Sequence, residues 1–252
     1  MLKKRLIPLM LLDNDRLIKT IKFGASRDVG DPVQSAKVYS DQNADELLIL
    51  NVSRDDRTIT KTLEILCELS KNCFMPLTVG GGITSIEDVR VLIRSGADKV
   101  LVNTAAYQNL DFLKVIVREF GNQALIIGID CTRDVDKWRC LSNCGSVVED
   151  IELEDHLRQV QEAGAGELLI QSVDRDGVMC GLDLDLLRKV TRSAKIPVIG
   201  AGGVGNYHDL LDGYRIKGID AIGVASLFHF SDSNPHRAKA MLQNHNLNFK
   251  LV

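Results

Sequence analysis

The chain has 252 residues, 45% hydrophobic and 26% charged, enough apolar material for one large core in the size range of α/β barrels. Its net charge of −3 gives no electrostatic reason to expect nucleic acid or an anionic membrane as partner. No apolar run approaches the ~20 residues that span a bilayer, and the opening Met1-Leu-Lys-Lys-Arg-Leu-Ile-Pro8 lacks the apolar length and small-residue site of a secretory signal, so a cytoplasmic protein is expected.

Short apolar runs recur along the chain at 6–12, 47–52, 77–79, 100–103, 125–129, 168–172, 198–200 and 221–224. Helical periodicity follows them, most clearly at 86–95, 113–120 and 153–163. No Pro/Gly/Ser-rich linker interrupts the pattern. The chain also repeats itself. Ala44-Asp-Glu-Leu-Leu-Ile-Leu-Asn-Val-Ser-Arg-Asp-Asp56 returns as Ala165-Gly-Glu-Leu-Leu-Ile-Gln-Ser-Val-Asp-Arg-Asp-Gly177, and Met75-Pro-Leu-Thr-Val-Gly-Gly-Gly-Ile83 as Ile196-Pro-Val-Ile-Gly-Ala-Gly-Gly-Val204, both 121 residues on. Eight βα units in two matching halves predict a single (β/α)8 TIM barrel, with half-barrels at about 1–122 and 123–252.

Chemistry in such a barrel sits where the strands end. Those ends carry Leu11, Asn51, Gly80-Gly-Gly82, Asn103-Thr104, Asp130, Asp174-Arg-Asp176, Gly202-Gly203 and Ala225-Ser226. Glycines alone make tight turns, but here each half repeats a glycine turn and a second strand end followed by a short helix. Gly82 goes with Asn103 and Thr104, and Gly202 and Gly203 with Ala225 and Ser226. Backbone N–H groups and positive helix ends suit phosphate, so two such places predict a ligand with two phosphates. At the opposite rim, Arg5, Glu46, Lys99 and Glu167 stand at strand entries. They read either as ordinary water-facing charges, the plainer alternative, or as a neutral ring closing the barrel bottom.

The remaining reactive residues say less. Cys67, Cys73, Cys131, Cys140, Cys144 and Cys180 show no paired CxxC spacing and read as reduced structural or loop thiols. His156, His208, His229, His236 and His245 are scattered, so neither a metal nor another cofactor is expected, and His229 reads as packed or hydrogen-bonded. Asp174 and Arg175 are expected to orient their loop, with Asp176 touching ligand; a base supplied from this segment is the alternative.

Arg27-Asp-Val-Gly-Asp-Pro-Val33, Thr78-Val-Gly-Gly-Gly-Ile83, Gly96-Ala-Asp-Lys-Val100, Val173-Asp-Arg-Asp-Gly177 and Phe228-His-Phe230 resemble the cyclase subunit of imidazole glycerol phosphate synthase, nearly end to end. The resemblance implies a glutaminase docked at the barrel bottom, with ammonia passing through the core. At the top that ammonia joins a bisphosphorylated aminoimidazole carboxamide ribonucleotide, yielding imidazole glycerol phosphate and an aminoimidazole carboxamide ribotide. It makes Arg5, Glu46, Lys99 and Glu167 the ammonia gate and Asp98 a glutaminase-docking residue. Lys19 becomes a flexible-loop lysine that meets substrate with Asp176, and Gly177 joins the phosphate site.

The family's ring closure uses two carboxylates on opposite sides of the mouth, one to give a proton and one to take it. Asp130 matches one, but Leu11 stands where the other belongs, with Asp13 two residues further on. Asn51 replaces an aspartate, Gln171 a threonine, Ala201 a serine, Thr132 a lysine and Cys144 a serine. The changes gather at the mouth while gate and docking residues remain. The opening residues and the loop Arg16-Leu-Ile-Lys-Thr-Ile-Lys-Phe23 look more like a branch associated with bacterial surface-polysaccharide biosynthesis. There the barrel works with a glutaminase and a separate sugar amidotransferase. An ammonia conduit of that kind is the first expectation. The histidine-pathway cyclase is the second, and a scaffold that conducts nothing is the third.

Overall fold

The computed structural model describes residues 3–54 and 58–250. Asp55 and Asp56, which close the first repeated segment, lie outside the described residues. Strand β1 (Arg5–Asp13) runs into the hairpin β2 (Arg16–Thr20) and β3 (Ser26–Gly30), followed by α1 (Pro32–Asp41). Next come β4 (Leu47–Asn51), α2 (Ile59–Asn72), β5 (Leu77–Gly80), α3 (Ile86–Arg94), β6 (Lys99–Val102), α4 (Thr104–Gln108) and α5 (Leu110–Phe120). The second half repeats the plan. Its β7 (Leu125–Asp134) continues into the hairpin β8 (Lys137–Ser142) and β9 (Val147–Glu152), then α6 (Leu153–Glu162). It ends with β10 (Glu167–Ser172), α7 (Leu184–Ser193), β11 (Val198–Ala201), α8 (Tyr207–Tyr214), β12 (Ile219–Val224), α9 (Ser226–Phe230) and α10 (Pro235–Asn244).

Parallel pairing runs β1–β4–β5–β6–β7–β10–β11–β12 and returns to β1, so eight strands close into a barrel with flanking helices, as the sequence predicts. The observed strands overlap all eight apolar runs. Strand alternation explains the interior. Along β1, Arg5, Ile7, Leu9, Leu11 and Asp13 share one face, so the same strand carries a charge at the bottom, leucine and isoleucine in the middle and a carboxylate at the top. Ile7, Leu48, Leu101, Ile126, Leu169 and Ile199 form the inner apolar layer. A larger cluster lies between the strands and the helices.

The repeat is visible in backbone geometry. Gly81 and Gly202 have φ of 92° and 93°, and a Cβ on either would lie 2.0 Å from the Asn51 carbonyl oxygen or 2.5 Å from that of Ser172. Ser85 with Asp88 and Asn206 with Asp209 form matching capping boxes on α3 and α8. Asn103 and Ala225, ahead of the five-residue helices α4 and α9, share φ/ψ of −119°/−81° and −117°/−79°. These local constraints fix each turn against the strand beside it. Gly81→Ala should therefore cost more than about 2 kcal/mol in urea denaturation, because a backbone oxygen must move as well as φ becoming strained. A loss below about 0.5 kcal/mol would show that the turn can relax.

Candidate functional site

At the barrel bottom the four strand-entry charges meet. Arg5 Nη1 donates to Glu46 Oε2 at 2.8 Å and to Glu167 Oε2 at 3.3 Å, and its Nη2 pairs with Glu167 Oε1. Lys99 Nζ lies 3.1 Å from Glu46 Oε2 and 3.1 Å from Glu167 Oε2. Each cation touches both carboxylates, so the four groups form a closed, neutral ring. Burial disfavours the Arg5 charge, yet the hydrogen bonds and charges of Glu167 and Glu46 hold its guanidinium above its ordinary value. The reading of these groups as separate water-facing charges is thus corrected: both glutamates are buried. Asp98 lies on the same rim, exposed, with Oδ2 accepting the Leu77 N–H at 2.8 Å.

At the top, a cavity of about 570 Å³ holds Gly82, Asn103, Thr104 and Asp130 on its walls, with Leu11 and Asp13 also lining it. Because β1 and β7 stand four steps apart around eight strands, Leu11 and Asp130 face one another across the barrel. Pairing confirms their equivalence: Leu11 lies opposite Leu50, and Asp130 lies opposite Gln171, the repeat partner of Leu50 121 residues on. Asp13 sits on the inward face as the last residue of β1, rather than in a following loop, about 7 Å along the strand from Leu11. Asn51 is occupied structurally, its Nδ2 donating to the Thr58 carbonyl and its Oδ1 accepting the Ser53 N–H.

Asn103 Nδ2 donates to Asp130 Oδ2 at 2.8 Å, while its Oδ1 is buried without a partner. Burial, then repulsion from Asp176, raises the Asp130 carboxyl to about 7 against the Asn103 hydrogen bond. A group with that value exchanges a proton near neutral pH and can act as general acid or base.

The second set of predicted residues meets separately. Gly177, Gly202, Gly203, Ala225 and Ser226 line a cavity of about 20 Å³ together with Lys19, Gln171 and Asp176. Lys19 departs from expectation: it lies in β2, not on a flexible loop, and is buried. Its Nζ pairs with Asp176 Oδ1 at 2.7 Å, while Thr20 Oγ1 donates to Asp176 Oδ2 at 2.7 Å and Gln171 Nε2 to Oδ1 at 3.2 Å. Burial lowers the Lys19 ammonium from its ordinary value against the pull of Asp176. With both carboxylate oxygens engaged, Asp176 ties β2 to the loop after β10. Asp174 accepts from Thr132 Oγ1 and the Arg133 N–H, and Arg175 donates to the Cys180 carbonyl, the loop-orienting roles expected of them. His229 is hydrogen-bonded to Tyr39 and beside the Leu9 carbonyl, and burial lowers it to about 4.

A family described as "Histidine biosynthesis protein" matches residues 5–234. The chain belongs to that family. The match spans all eight barrel strands and stops before α10. Among the described residues no group of His, Cys, Asp and Glu is arranged to hold a metal ion, and no helix is long and apolar enough to cross a membrane. Sequence reasoning left Thr20 out of the site, and its only signal was its position next to Lys19.

The raised Asp130 value has a stability consequence. Its folded-state value lies above the ordinary 3.8, so the folded chain binds the extra proton and loses stability as pH rises from about 4 to about 7. Asp130→Asn should remove that loss. In urea titrations the variant should match the wild type near pH 4 and exceed it by roughly 2–4 kcal/mol near pH 8. Parallel curves across the range would place the Asp130 carboxyl at its ordinary value.

Proposed function

We propose that the chain is the ammonia-conducting barrel subunit of a glutamine amidotransferase system, docking a glutaminase at the charged bottom rim and holding a phosphate-bearing ligand at the top. One contrast carries the reading: the bottom charge ring is fully paired, while at the top Leu11 faces Asp130 where the resembled cyclase has a second carboxylate. Selection for an ammonia entrance accounts for the first half of that contrast. Loss of the acid/base pair accounts for the second, since one carboxyl cannot both give and take a proton at two separated atoms. The inner leucines and isoleucines give a neutral amine an apolar path and give an ammonium ion none. Asp98 on the rim supports glutaminase docking there, and the duplicated glycine turns support two phosphate positions. On this reading the ammonia serves amidation of a bacterial surface sugar by a separate amidotransferase, and the protein works in the cytoplasm.

A second reading, the histidine-pathway cyclase, is favoured by one observation. Asp13 on β1 lines the same cavity as Asp130 on β7, so a carboxylate stands on each side of the mouth. Proton transfer needs contact of about 2.6–3.2 Å, and the displacement of Asp13 along β1 works against it.

The purified chain, given excess ammonium at alkaline pH and the bisphosphorylated aminoimidazole carboxamide ribonucleotide, distinguishes the two. The conduit reading expects no turnover by the wild type and measurable turnover by Leu11→Asp. Turnover by the wild type, abolished in Asp130→Asn, would instead make it a cyclase.

A further inference from the structure

We propose that Cys131 and Cys140 are a reversible oxidation site, closing to a cross-strand disulfide beside Asp130. The two residues lie directly opposite in the antiparallel pairing of β7 with β8. Cys131 accepts the Val173 N–H through its carbonyl, so its backbone hydrogen-bonding edge faces β10 and not β8. The Cys131–Cys140 pair is therefore of the non-hydrogen-bonded kind, in which the Cα atoms approach to about 4.5 Å. That spacing falls within the range a disulfide spans, about 4.4–6.8 Å. The side chains already interact with each other, and both thiols are free and fully buried.

Two features make the pair reactive. The register of β8 against β9 slips between Arg139 and Leu141, so Cys140 occupies an irregularity where the outer strand does not pair with it. A register shift leaves the ladder locally unpaired, and local opening there would admit a small oxidant to the pair. The hydrogen bond between the two thiols holds them together, and Cys140, at the irregular position of the hairpin, is the one the oxidant meets first.

With a peroxide as oxidant, the Cys140 thiolate attacks one oxygen, the O–O bond breaks and hydroxide leaves, giving a sulfenic acid. The Cys131 sulfur then attacks Cys140 Sγ, the S–O bond breaks and water leaves as the S–S bond forms. Two thiols lose two protons and two electrons, and the peroxide becomes two waters. The bond draws β8 toward β7 at Cys131, between Asp130 and Thr132, whose hydroxyl holds Asp174.

The test uses the full chain treated with hydrogen peroxide, then digested without reductant and mapped by mass spectrometry. The expected result is a peptide pair joined through Cys131 and Cys140, lighter by two hydrogens, that separates with dithiothreitol and is absent in Cys140→Ser. A variant carrying Cys67→Ser, Cys73→Ser, Cys144→Ser and Cys180→Ser provides the second measurement, since it should lose both remaining thiols together. Thiols that stay reduced, that gain oxygen without linking, or that link Cys140 to another cysteine would overturn the proposal.

Discussion

An apolar layer inside the barrel separates two polar systems, and the rest of the structure depends on it. Ile7, Leu48, Ile126, Leu169 and Ile199 are almost completely buried between the charge ring below and the mouth cavity above. Each polar system can be organised independently because no polar side chain of one needs a partner in the other. The layer also closes the sheet. Parallel strands form a barrel only when the inward side chains fill it, and strand alternation supplies those side chains from both halves of the chain.

The ring below shows why four ionisable groups tolerate such burial. Glu46 and Glu167 are 2% and 6% exposed, and a single buried carboxylate would cost several kcal/mol without a partner. Here each is flanked by both cations, and Thr78 Oγ1 donates a further hydrogen bond to Glu46. The cations reach toward water at the rim, so the ring combines a neutral interior with a polar outer edge. At the mouth the balance differs. Asp176 receives three donors from β2 and β10, whereas Asp130 receives one from Asn103, and burial raises the Asp130 carboxyl in spite of it.

Much of this was legible in the sequence. The eight apolar runs give the strands, and the 121-residue repeat matches Gly82 with Gly203, while Leu11 and Asp130, 119 residues apart, match as the ends of the first strand of each half. Strand entry puts Arg5, Glu46, Lys99 and Glu167 on one rim, but whether they pair depends on the closed ring, which no local pattern states. Lys19 was the clearest departure. Its segment looks like a charged loop, yet every residue from Leu17 to Thr20 is buried, because Asp176, 157 residues away, supplies the ion pair. The Asn103 hydrogen bond to Asp130 crosses between neighbouring strands and also has no signature in sequence. The Cys131–Cys140 juxtaposition likewise needs the hairpin register, since spacing alone makes the two cysteines look unrelated.

The proposed ammonia delivery requires a glutaminase at the charged rim. The direct measurement is glutamine hydrolysis by a cognate glutaminase with and without the purified barrel, alongside their co-elution in gel filtration. Ammonia delivery predicts a joint peak and a rise in hydrolysis of about tenfold or more. Separate elution with an unchanged rate would contradict it.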